Sequence, residues 1–253
     1  MDLLTYKVIA ALLILLVALV AAYFPIKKKL GLPHSESLEL GEALASGIFL
    51  GAVFFHLLPD AIQQFHAAYT TLIYPVPELI CVSGFLLLLL LERLSLSNGT
   101  NATTNTIPYL LALMLGIHAL TEGAALGIGA TLPETIMLMI AIFAHKGSES
   151  YALCITLIRH NVSIRQIILI IFLFSLTTPI GILLGNTIHD LTLANRGAAL
   201  SGCLNAFAAG TFLYISTLHH THFHKHAKDT QGLLEFASLV FGVIAMATIA
   251  IWT

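Results

Sequence analysis

Two stretches of this chain place an imidazole and a carboxylate four residues apart: His118-Ala119-Leu120-Thr121-Glu122 and His145-Lys146-Gly147-Ser148-Glu149. Residues four apart share one face of an α-helix, so each stretch presents a two-toothed chelator. Two neutral imidazoles and two carboxylates suit a tetrahedral zinc ion, at about 2.0–2.2 Å per ligand, and the two negative charges offset a divalent cation. The same donors accept cadmium, iron(II), manganese or cobalt, because affinity order alone does not select among them. Hydrogen bonding between helices is the other use of such residues, and it accounts well for one lone histidine. It accounts poorly for two matched pairs, since each ionised group set in hydrocarbon costs about 2.5–3.5 kcal/mol on insertion scales.

Hydrocarbon is the expected surroundings because of composition. Of 253 residues, 58% are hydrophobic and 9% charged, against roughly 25% charged in a soluble domain. Apolar runs fall at about 3–25, 38–60, 73–92, 107–130, 134–158, 165–187, 197–218 and 232–252, each near the length of about 20 residues that crosses a bilayer. The expectation is an all-α integral membrane protein, a single transmembrane domain over residues 1–253 with eight transmembrane helices and short loops. Lys27, Lys28, Lys29, Arg93, Arg159, Arg165, Lys225 and Lys228 then share one side, while only Lys7 and Arg196 flank the other. That bias puts both termini outside. The first run reads as a retained span, since its positive cluster follows it where a secretory signal would have one in front. A net charge of −2 supplies no basic field, so nucleic acid is not an expected partner. Cys81, Cys154 and Cys203 sit singly in apolar runs and read as small core residues.

Both chelating pairs lie on adjacent spans, with each histidine about 11 residues inside, a depth close to the bilayer midplane at about 1.5 Å per residue. The short Thr131-Leu132-Pro133 connection makes these spans antiparallel, which sets His118 level with Glu149 and Glu122 level with His145. Lys146 is an ionisable group inside a span, and so a functional candidate as a fixed charge beside the carboxylates, or a simple ion-pair partner of Glu149. His56 and Asp60, again four apart, lie at the outer end of the second span, where they would gather arriving ions or face headgroups. His219, His220, His222, His224 and His226 crowd one loop on the cytoplasmic side, as in a metal-binding tract. Gly47 and Gly51, Gly123 and Gly127, and Gly181 and Gly185 are spaced for close helix packing. Pro179 should loosen a turn of the sixth span.

With these residues in view, the chain resembles the Zrt/Irt-like (ZIP) family of divalent metal transporters, most of all the branch with the animal plasma-membrane zinc importers. The matching stretches are His118–Gly123 followed by Ala124-Ala125-Leu126-Gly127, and His145-Lys146-Gly147. Phe49-Leu50-Gly51 with His56–Asp60, Thr178-Pro179-Ile180-Gly181 and Ala209–Tyr214 also match. The resemblance implies a ZIP-like bundle that takes zinc into the cytoplasm, with His118, Glu122, His145 and Glu149 as the transport site. It further implies a homodimer in a plasma or bacterial inner membrane, with spans one, four, five and six moving against the other four. In a two-metal design seen in some bacterial members, a second ion uses positions that here hold Ala119, Lys146 and Thr178, none a credible ligand. The family's usual Pro before the fourth-span Glu is Thr121. Two rivals remain at this stage. One is an intramembrane zinc-dependent hydrolase, which lacks an HExxH pattern here and would need an open ligand position. The other is a metal-sensing membrane receptor.

Overall fold

Apolar runs become helices because inside a bilayer each backbone N–H and C=O must be satisfied within its own segment. The computed structural model describes residues 2–31, 36–70, 73–97, 106–129, 131–188, 194–218 and 230–251. The helices are α1 (Leu3–Gly31), α2 (Glu36–Ala52), α3 (Leu58–Ala68), α4 (Val76–Ser97), α5 (Thr106–Ile128), α6 (Leu132–Arg159), α7 (Ile164–Ile188), α8 (Ala194–Leu218) and α9 (Thr230–Ile249). A π-helical turn, Val53–Leu57, joins α2 to α3, so the described residues make eight helical passes in an all-α bundle. Five passes are long and apolar enough to cross a membrane by length and composition: Leu3–Lys27, Glu39–Ala68, Pro108–Ile128, Ile164–Thr187 and Gln231–Ile249. α6 is less apolar because its middle carries His145, Lys146, Ser148, Glu149 and Ser150, all of them buried.

Helix ends follow local chemistry. Pro77, Pro108 and Pro133 occupy the first turns of α4, α5 and α6, where a missing N–H leaves nothing unsatisfied. At the start of α7, Ser163 caps the helix: the Gln166 N–H donates to Ser163 Oγ, which donates in turn to Gln166 Oε1. The apolar run at 38–60 continues as helix to Ala68. Pro59 offers no N–H to the preceding turn, and the π turn, closed by Leu58 N–H to Val53 O, absorbs the interruption. α7 passes through Pro179 as one unbroken helix, so the loosening expected there does not break the element.

The passes pack as two groups. In one, α5 lies along α7, and α1 lies along α6 and α7; in the other, α2 packs on α9, and α8 on α3 and α4. Glycines set the closest approaches. A Cβ on Gly123, Gly127, Gly181 or Gly185 would strike the backbone of the facing helix, binding α5 to α7; Gly47 and Gly242 do the same for α2 and α9, where a Cβ on Gly51 would strike the Met246 side chain. Side chains add polar ties, since Ser150 donates to Ala18 O over 2.6 Å, joining α6 to α1. Lys7, buried on α1, donates to Gly127 O at the end of α5 over 2.6 Å and to Asn186 on α7 over 3.3 Å. It thereby caps a carbonyl that the α5 terminus would leave open.

Candidate metal site

α5 and α6 run antiparallel and turn their His-x-x-x-Glu faces toward each other. Helical spacing aligns each pair, and the registers match as the short connection requires. His118 Nε2 lies 2.9 Å from Glu122 Oε1 and 3.3 Å from Glu149 Oε1. His145 Nε2 lies 2.7 Å from Glu122 Oε1 and 3.6 Å from Glu149 Oε1. One donor atom from each of the four residues falls within 4.8 Å of the others, and all four residues are buried. Four donors about 2.1 Å from one ion at tetrahedral angles stand about 3.4 Å apart, so small side-chain shifts convert this cluster to a coordination shell. Among the described residues, Glu122 Oε2, Glu149 Oε1 and Nδ1 of both histidines find no hydrogen-bond partner while buried. Such unmet polarity is unfavourable in a low-dielectric interior and favours a cation that can meet it.

Around the cluster, Lys146 Nζ donates to Glu149 Oε2 over 2.8 Å and stands 4.2 Å from the centre of the Phe174 ring. Lys146 therefore occupies one carboxylate oxygen and leaves the other facing the histidines. Thr121 Oγ1 donates to His118 O over 2.8 Å, and α5 remains α-helical through the site. His56 is buried and pairs with Asp60, Nδ1 to Oδ2 at 3.2 Å, and its ring centre lies 6.1 Å from that of His145. The pair thus adjoins the cluster, with the Asp60 side chain partly exposed. Residues 219–229, which include the histidine-rich tract, lie outside the described residues.

One neighbour lies in the matching stretch Ala209–Tyr214 but was not singled out there as a site residue. Phe212 of α8, fully buried, sets its ring edge-on to His118, with centroids 4.8 Å apart, and stands 6.2 Å from His145 and 4.8 Å from Phe49. It brings the second helix group against both imidazoles. A phenylalanine in an apolar run looks like any core residue, so its type could not have marked it.

A helical bundle that turns two imidazoles and two carboxylates onto one buried volume has the donor set to take a metal ion within its interior. The family model described as "ZIP Zinc transporter" matches residues 4–102 and 95–250. The chain is 28% identical to "Zinc transporter ZIP1" of Takifugu rubripes over 263 residues, covering 86% of each chain. It is 28% identical to "Zinc transporter ZIP2" of Mus musculus over 269 residues, covering 87% of each. Against "Protein zntD" of Dictyostelium discoideum it is 33% identical over 156 residues, which is 60% of this chain and 22% of that one. The chain belongs to the ZIP zinc-transporter family. That membership makes it an integral, multi-pass membrane transporter and not an enzyme, and the convergence of four protein donors likewise leaves little of the open coordination that a zinc hydrolase uses.

Proposed function

We propose that this protein carries zinc into the cytoplasm through His118, Glu122, His145 and Glu149, which take the ion as it sheds water. The observation that carries this reading is the convergence of their four donor atoms, from two antiparallel helices, on one buried volume. Inside-negative potential drives a divalent ion inward by about 4–5 kcal/mol per 100 mV if its charge crosses uncompensated. The His56–Asp60 pair, next to His145 and with Asp60 partly exposed, is suited to hand the ion to the site. Lys146 balances Glu149 when the site is empty and repels a bound cation, which favours its release. His219, His220, His222, His224 and His226 then receive the ion on the cytoplasmic side.

The reading extends to the whole chain: one transmembrane domain over residues 1–253, eight spans near the eight apolar runs, and both termini outside. The distribution of lysine and arginine supports this orientation. Release requires rearrangement. The packing of α1, α5, α6 and α7 as one group and of α2–α3, α4, α8 and α9 as another supports a movement of the first against the second. A homodimer in the plasma membrane, or the inner membrane of a bacterium, is the expected assembly.

The decisive experiment is radioactive zinc uptake into proteoliposomes under an imposed inside-negative potential, with wild type, Glu122→Ala and His145→Ala. Saturable uptake by wild type and background uptake by both variants is expected. Equal uptake by all three would overturn the site.

A further inference from the structure

The geometry points to a latch at the Arg159 end of the bundle, formed by Glu42 and Arg159, which holds the two helix groups together and must part before the ion is released there. It rests on the carrier reading above.

Arg159 closes α6, the helix that carries His145 and Glu149. Its Nη2 pairs with Oε2 of Glu42 on α2, in the other helix group. The partners differ in exposure: the Glu42 side chain is 9% exposed and that of Arg159 32%. A largely buried carboxylate facing a guanidinium that reaches it from the rim makes a contact that holds when closed and that hydration can replace when open. The two groups also meet at the level of the site, where His56, in the π turn that follows α2, stands 6.1 Å from His145 of α6 between ring centres. Glu42 lies about 14 residues back from His56 along the π turn and α2, and Arg159 about 14 residues forward along α6 from His145, or about 21 Å of rise on each antiparallel pass. Matching lengths mean that the same α2–α6 seam runs from the metal site to the latch.

The seam is tight near its end. Tyr151, two residues beyond Glu149 on α6, sits against Gly41 so closely that a Cβ there would meet its hydroxyl and ring carbons. α9 faces this end as well, with Glu235 buried and Gln231 donating to Glu39 over 2.5 Å. Glu39, Glu42 and Glu235 therefore gather near one another on the α2 and α9 side, with Arg159 the guanidinium that α6 brings to them. Moving α6 away from α2 withdraws that positive charge from a group of carboxylates, an unfavourable separation that favours the closed arrangement.

A labelling test reads the seam directly. In a chain with Cys81, Cys154 and Cys203 replaced by alanine, Ser46→Cys puts a thiol one helical turn beyond Glu42 on the same face of α2. Its reaction with a membrane-impermeant maleimide added from the Arg159 side is compared with Glu42→Gln, Arg159→Gln and the swap Glu42→Arg/Arg159→Glu, with zinc uptake measured on the same proteins. The single changes should speed labelling by about threefold or more, as a shift of population toward the open arrangement, and the swap should return it toward the starting rate. Equal rates in all four proteins, or a swap as fast as the single changes, overturns the latch. Arg159→Lys, which keeps the charge, guards against loss of fold: it should label slowly, and rapid labelling would overturn the role of the charge. If the starting protein carries no zinc, the carrier reading itself fails; transport with unchanged labelling defeats the latch alone.

Discussion

Lys146 and Glu149 illustrate how a buried site is kept in balance. The ammonium is fully buried with Glu149 as its hydrogen-bond partner, so removing it leaves a buried carboxylate uncompensated. Lys146→Met is expected to destabilise the zinc-free protein by about 3–5 kcal/mol, the usual result of breaking a buried pair. The same change also removes a positive charge beside the cation. Zinc should therefore raise the melting temperature of Lys146→Met by more than it raises that of wild type, which thermal unfolding with and without zinc would check. An equal rise in both would show that Lys146 does not act on the ion. At this scale the sequence was informative where residue type is costly. Two ionisable pairs in apolar runs declare themselves, and the Lys146–Glu149 ion pair follows from a spacing of three. Phe212 and the approach of His56 to His145 do not, because neither depends on local spacing.

Helices here are positioned by backbone approach more than by side-chain interlocking. Gly123→Ala would push a methyl group into Thr178 O on α7, whereas Gly116→Ala would meet only Thr177 Cγ2 at 3.9 Å. The first should lower stability by about 1–3 kcal/mol or more and displace Glu122, its neighbour in sequence, with loss of zinc uptake. The second should be neutral or stabilising by up to about 1 kcal/mol, since Ala is the better helix former. Thermal unfolding in detergent, with uptake on the same preparations, distinguishes them. The small-residue spacing of Gly123, Gly127, Gly181 and Gly185 is legible as packing, but their partnership is not. The short α5–α6 connection makes these two helices antiparallel neighbours, as found, but leaves open that α5 packs most extensively along α7. The helices meet at the metal cluster because its polar faces must be turned inward together.

For the whole molecule, orientation is the property most open to a direct test. Both termini outside means that an epitope tag at either end should be removed by protease added to intact cells, while one in the loop between α6 and α7 should be protected. Protection of either terminal tag would reverse the orientation and, with it, the direction assigned to uptake. The basic residues at Lys27–Lys29, Arg93, Arg159 and Arg165 set this expectation from sequence.

Sequence by itself determined the membrane class, the helical runs and the four donors, because hydrocarbon penalises polarity so strongly that each polar residue retained in a run carries information. Helical periodicity then made each His–Glu pair a chelator, and the short connection set the two pairs in register. What only tertiary structure decided is how the passes divide: α1, α5, α6 and α7 in one group, with Phe212 pressed on both imidazoles from the other, and Glu42 meeting Arg159 across the seam. These depend on contacts between residues far apart in the chain. In lipid, where apolar side chains are equally well solvated by neighbours or by acyl chains, close packing and polar ties select among arrangements that composition leaves equivalent.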